Sequence, residues 1–382
     1  MPIPTWGTTA LDAGALRIAN AGALGSGTIA VGNGAATLQL TNGITVTNPL
    51  IIGSKPSGTG PVPCVENISG NNTLTGPMSL NANGSFGWLF VATGGRLSVA
   101  GPILRLDPSQ TSQNNTRILW LRGDATGEWS GNIIDPVGGT TNLALRKDGL
   151  GTWTLSGANT YTAPTVVSNG TLLVSGSLGA SSSVTVQGGT LAGTGTIAGP
   201  VTINALGTLA PGSSAGALTI NNSLTLNGTT VMEVSHAATD RVTGLGTVTL
   251  GGTLQVVVQG TLSGNEIFKL FSATNYTGDF ATYDLPALPS PYAWDYSKMT
   301  VDGTLRVTGG GDLPRPTLAV AQSGSQLTFS WNDVSFKLQA QTNSLSTGIS
   351  GNWADYPGGG GSPVAVTVNP ANPAVFFRLV SQ

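Results

Sequence analysis

Charge is scarce in this chain of 382 residues: Asp, Glu, Lys and Arg make up 8% of it, and the formal net charge is −2. An average soluble domain carries about 25% charged residues. No basic run exists to track a phosphate backbone and no acidic run to repel one, so nucleic acid and anionic membrane are not expected partners. The single cysteine, Cys64, excludes an internal disulfide, so packing and ladder hydrogen bonds must hold the fold, with Cys64 as a small buried apolar residue. The single histidine, His236, would have to carry any Ser-His-Asp or Cys-His relay alone, and it sits in the turn Ser235-His236-Ala237-Ala238. There is no CxxC, no HExxH and no tandem Gly-Gly-x-Gly-x-Asp, so neither a metal nor a cofactor is expected. The glycine-rich segments lead into no helical pattern and read as turns, not phosphate loops. No apolar run of membrane-spanning length is present, and no basic-then-apolar leader follows Met1.

What the chain has is glycine, 56 residues of it, set between short alternating runs. In Lys147 to Leu172, Trp153 and Leu155 face one way and Thr152 and Thr154 the other, the period of a strand with one buried face. Gly149 and Gly151 close one side of that strand and Ser156-Gly157-Ala158-Asn159 the other. Gly170-Thr171-Leu172 restarts at Gly189-Thr190-Leu191 and Gly207-Thr208-Leu209, 19 and 18 residues on. A unit that short buries a core only by stacking on its neighbours, which is the logic of a solenoid.

Lys147, Gly149, Gly151-Thr152, Leu155-Ser156-Gly157, Asn159-Thr160-Tyr161, Pro164-Thr165 and Gly170-Thr171-Leu172 resemble the passenger-associated β-strand repeat of bacterial autotransporter-like surface proteins. Ala163 departs from the pattern, which usually has Gly there. The resemblance implies a right-handed parallel β-helix carried outside the cell, hence an extracellular or cell-surface location, and it implies no catalytic residue. Degenerate relatives of the repeat run from about Gly14 to Val307.

The whole chain is therefore expected to be all-β: a parallel β-helix over 1–308, a Gly/Pro linker at 309–316, and a small antiparallel β-sandwich over 317–382. Leu16/Ile18, Ile29/Val31 and Leu38/Leu40 already alternate as coils, with no recognisable cap before them. Asn67, Asn71, Asn72, Asn81 and Asn83 fall where internal asparagine ladders form. Val301 to Val307 reads as the last solenoid strand. Residues 101–148, where ten of the 32 charged residues gather, read as a polar insertion. In the C-terminal part, period-2 runs at Leu318–Val320, Gln326–Trp331, Phe336–Gln341, Val364–Val368 and Val375–Val380 are the expected strands. Phe336-Lys337-Leu338-Gln339, Asn343-Ser344-Leu345, Trp353 and Phe376-Phe377-Arg378-Leu379 are similar to modules appended to such passengers in Verrucomicrobia-like bacteria.

Two functions follow from these expectations. The first is a non-enzymatic structural or adhesive surface element that assembles end to end into filaments or arrays through open coil ends, with another copy, glycans or a neighbouring cell surface as partner. The second is a carbohydrate-binding or polysaccharide-degrading β-helix. Its candidate residues are Trp120, Arg122, Asp124, Glu128 and Trp129, two carboxylates beside rings that can stack on a sugar, with Trp331 and Trp353 as further rings. Fold alone does not choose between the two.

Overall fold

The computed structural model describes residues 7–55, 62–81, 87–106, 116–135, 142–212, 214–262, 264–309, 317–332, 336–372 and 374–381. The chain divides into two compact units, Met1–Thr308 and Gly309–Gln382. Of the expected linker, 310–316 lie outside the described residues, as does Asn83.

Unit one is a parallel β-helix with three faces. Strands on the first face begin with a five-stranded sheet that runs from Thr9–Leu11 to Ile103–Leu106. An eleven-stranded sheet on the third face runs from Thr45–Val46 to Thr282–Asp284. A sixteen-stranded sheet covers the second face and, beyond Ala158–Asn159, the first face too. It can do so because Arg241–Leu250 is long enough to pair with Ala217–Ile220 through its start and Leu224–Leu226 through its end.

The coils stack in register. Thr152, Thr171, Thr190, Thr208, Thr229, Thr253 and Thr282 form one outward column. The adjacent inward column reads Trp153, Leu172, Leu191, Leu209, Thr230, Leu254 and Tyr283. Threonine suits the outward positions because its branched Cβ favours the pleat while its hydroxyl stays solvated or bonds along the column; Thr277 Oγ1 donates to Thr249 Oγ1 at 3.0 Å. The inward columns merge into one core from Ile18 to Val307. Its largest members are Trp88, Trp129, Trp153 and Tyr161, all fully buried.

Three expectations change. Within 101–148, expected as a polar insertion, the described strands Arg117–Arg122, Thr126–Trp129 and Leu143–Lys147 are regular rungs paired to the coils before and after them, while 107–115 and 136–141 lie outside the described residues. Charge density misled the reading because outward positions accept charge without leaving the ladder. Val301 to Val307 is not a solenoid strand. Met299–Asp302 is a short helix, and Thr304–Thr308 pairs antiparallel with both Ile267–Lys269 and Ala293–Asp295. Phe268, Met299 and Leu305 from this cap are buried in the solenoid core, so the cap covers the core at the C-terminal end of the helix, while Phe271–Gly278 and Thr282–Asp284 pair on one side only among the described residues. Among the expected asparagines, Asn67 and Asn72 bond to each other within one coil, Asn72 Nδ2 donating to Asn67 Oδ1 at 2.5 Å, and not coil on coil. Asn67 and Asn72 are buried while Asn71 is exposed. Asn67 donates to Gly70 O and Gly94 O, and Asn72 takes the Ile44 N–H at 2.7 Å. They satisfy corner backbone that would otherwise be orphaned.

At the other end, Thr9–Leu11 and Gly14–Ile18 each pair on one side only among the described residues. Leu11, Leu16 and Leu24 there are partly buried against the core.

Unit two holds two three-stranded antiparallel sheets. One orders Ala319–Ser323, Gln326–Ser330 and Val364–Thr367, the other Ala354–Asp355, Phe336–Thr342 and Val375–Ser381. Phe329, Trp331, Leu338, Val364 and Val366 form their shared core.

Candidate functional site

Alternation along Arg117–Arg122 turns Leu119 and Leu121 inward and Trp120 and Arg122 outward. Trp120 lies between Leu89 and Arg146 of the neighbouring coils. Its ring is only 8% exposed, because the Arg146 guanidinium sits 4.7 Å from its centroid and that of Arg122 5.4 Å. Such guanidinium stacking is attractive and excludes other occupants from the ring. Arg122 Nη2 reaches Asp148 Oδ2 at 2.6 Å. Burial pushes the Asp148 carboxyl up, yet hydrogen bonds from Arg122 and the Gly149 N–H, with the Arg122 and Arg146 charges, hold it below the usual carboxylate range.

The other candidates belong to different places. Trp129 is fully buried and meets Phe90 edge-on at 5.0 Å, so it offers no face to a sugar; this corrects its place in the expected set. Glu128, outward on the same strand, pairs with Arg96 and accepts the Ser156 hydroxyl at 3.1 Å. Asp124 Oδ1 accepts the Leu150 N–H at 3.0 Å. Both carboxylates thus tie one coil to the next. Of the five residues the fold brings Trp120 and Arg122 into one patch, with Arg146 and Asp148 as their neighbours.

Two buried lysines escaped the sequence reading. Lys147 is fully buried, and its ammonium donates to the carbonyls of Asp148 (3.0 Å), Gly149 (2.7 Å) and Asn169 (3.0 Å). Gly149, at φ 77°, lets the backbone turn its carbonyl onto the ammonium. Burial pulls the Lys147 pKa down to about 8, against the opposing charges of Asp148 and Asp124. Lys55 repeats the device one face away, donating to Gly32 O, Gly34 O and Ala36 O at 2.6–3.1 Å, and burial lowers its pKa as well. The signal was available for Lys147: strict alternation from Leu143 and Leu145 puts residue 147 inside.

His236 is 76% exposed, with Nδ1 3.7 Å from Glu266 Oε1. Cys64 is fully buried beside the Leu89 N–H, and burial raises its thiol pKa to about 11, which suits packing and not nucleophilic attack. Among the described residues no group of three or more His, Cys, Asp or Glu is placed to hold a metal. Among the described residues no helix is long and apolar enough to cross a membrane. In unit two, Trp331 is 8% exposed and donates Nε1 to Phe336 O at 3.1 Å. Trp353 lies under the Arg378 guanidinium at 4.4 Å.

Comparison with curated proteins yields no match. Residues 145–174 match the passenger-associated-transport-repeat family. These are the coil that begins on Leu145, carries the Lys147 cage, turns through Trp153 and Tyr161, and ends on Val174. One coil of unit one, residues 145–174, thus carries a passenger-associated-transport-repeat, consistent with an autotransporter passenger.

Proposed function

We propose that the chain is a non-enzymatic structural and adhesive element of a surface passenger, displayed outside the cell, in which copies meet through the first coil. The observation that carries this reading is the single core that runs from Ile18 to Val307 under uncharged threonine columns. Its candidate acids, Asp124 and Glu128, already have structural partners. Stacked ladders give rigidity along the axis, since each inner rung is held from both sides.

The unpaired edge of the first described coil supports this mode of association. In Thr9–Leu11 the Thr9 N–H and the Leu11 carbonyl bond to the next coil, so the alternating groups of Ala10 point to the open edge. Unpaired edges recruit further strands. At the far end Phe271–Gly278 and Thr282–Asp284 also pair on one side only among the described residues, but antiparallel strands and a helix pack on the core there and obstruct a further coil, so we place coil-on-coil addition at the first coil, where it stops at a pair. Electron microscopy of a concentration series, with a reducing-end assay on a panel of plant and bacterial polysaccharides, tests the reading. Paired rods without sugar release support it; turnover of any polysaccharide by the purified chain overturns it.

A further inference from the structure

The two sheets of unit two close tightly at one end and stay apart at the other. At the closed end Phe329, Trp331, Leu338 and Val364 fill the gap. At the open end small residues, Ala340 and Thr342, follow Leu338 on the same face of their strand, and a pocket of about 580 Å³ remains. That volume lies within the range of small-ligand sites. Its floor is apolar: Leu327, Val366 and Phe377, with the Phe377 ring 4.4 Å from Phe329 and 6.0 Å from Tyr356. Val368 and Val375 stand at its mouth, 41% and 37% exposed. Such side chains are ordinarily covered in a core this small.

The rim has a different chemistry. Asn352, Asn369 and Asn372 line it, and the side-chain amides of Asn352 and Asn372 make no hydrogen bond among the described residues. Asp355 also lines it, but its two oxygens accept from Lys337 Nζ at 2.7 Å and Gln339 Nε2 at 2.8 Å. No Lys, Arg or His is among the lining residues described.

The wall is preformed. Gln341, 5% exposed, accepts the Ser350 N–H at 2.9 Å, the Ser350 hydroxyl at 2.8 Å and the Asn343 amide at 2.6 Å. Asn343 in turn donates to Gly348 O. The loop so pinned leads into Asn352, and its return is clamped where Arg378 covers Trp353 while donating twice to Gln339 Oε1. A pocket held open this way binds without first ordering its own loop.

An apolar floor, an amide rim and the absence of a cation suit an uncharged ligand with one small apolar group and several hydroxyls or amides. We propose that this pocket binds an N-acetylated amino sugar, its acetyl methyl on Val366 and Phe377 and its amide and hydroxyls on Asn352 and Asn372. The proposal rests on the adhesive reading above and gives it a ligand class; association through the first coil is independent of it.

Isothermal titration of the full chain with the N-acetylglucosamine trimer, the glucose trimer of the same linkage and a galacturonate trimer tests it. The expected result is binding of the acetylated trimer at least tenfold tighter than glucose, as loss of one apolar group from a fitted pocket produces, with no binding of the uronate. Asn372→Ala, on the rim, weakens binding tenfold or more, Ala340→Phe fills the pocket and abolishes it, and Trp120→Ala on the solenoid leaves it unchanged. Absence of binding at millimolar sugar, equal affinity for the glucose trimer, or dependence on Trp120 and not on Asn372 overturns the proposal. Because Asn372 lies on the rim, that variant keeps the test valid even if Ala340→Phe unfolds unit two. Scattering mass, read in parallel, reports on the pairing of rods regardless of the sugar result.

Discussion

Replacing Lys147 by Met probes the buried cation that sits inside the passenger repeat. Methionine keeps the length of the side chain and removes the ammonium, which leaves the carbonyls of Asp148, Gly149 and Asn169 without the donor that now joins them. Each buried acceptor stripped of its partner costs about 1 kcal/mol or more, and relief of the desolvated charge offsets part of the sum. A net loss of about 2–3 kcal/mol at pH 7 is expected. The effect also depends on pH. The folded-state pKa of about 8 lies below the ordinary 10.5, so between those values the unfolded chain holds more protons than the folded one. Stability of the wild type therefore rises through that window, by up to about 3 kcal/mol, and then levels off. Lys147→Met has no such group at this position, so the gap between the two proteins widens from pH 8 to pH 10.5. Urea unfolding followed by tryptophan fluorescence at pH 7, 8, 9 and 10.5 measures both parts. A variant as stable as wild type at pH 7, or a gap that stays constant or narrows with pH, refutes the account of the cage.

Other positions give independent outcomes. Thr230 stands fully buried in the leucine column between Leu209 and Leu254, its hydroxyl without a partner among the described residues; Thr230→Val keeps the shape and raises stability by about 1–2 kcal/mol, read as a higher urea midpoint. Gly127 pairs with Trp153, and a Cβ there would lie 2.2–2.5 Å from three indole atoms. Gly127→Ala consequently costs about 2–3 kcal/mol, with a shift in the Trp153 near-ultraviolet signal. Glu128→Gln breaks a pair whose Arg96 side chain is 49% exposed and changes stability by less than about 1 kcal/mol, measured by the same urea midpoint.

The sequence made the rungs legible because side-chain alternation and recurring Gly-Thr-Leu are local signals. Thr171, Thr190 and Thr208, spaced by eye along the chain, are direct register partners. The five C-terminal runs likewise became strands within one to three residues of their expected ends. What was not legible depends on contacts between coils. Arg122, Asp124 and Glu128 cluster in sequence as a would-be site, but each is paired with a residue about one coil or more away. The cap formed by Ile267–Lys269, Ala293–Asp295 and Thr304–Thr308 has the same period-2 pattern as a solenoid strand, and only pairing direction separates the two. Trp129 and Trp120 look alike in sequence. One is inward and fully buried, the other outward beneath two arginines. The pocket in unit two arises where Ala340 and Thr342 of one sheet meet Leu327 and Val366 of the other, a combination that no single strand records.

The proposed pairing of copies through the open edge of the first coil is tested most directly by one proline. In Gly14–Ile18 the Gly14 N–H and the Ile18 carbonyl bond to the next coil, so the Ala15 N–H faces the open edge. Ala15→Pro removes that donor without cutting the ladder behind it. Light-scattering mass across a concentration series is the measurement. The account predicts that wild type approaches twice the mass of one chain as concentration rises while Ala15→Pro stays at the mass of one; a wild type that remains a single chain at every concentration, or a variant that pairs equally well, contradicts it.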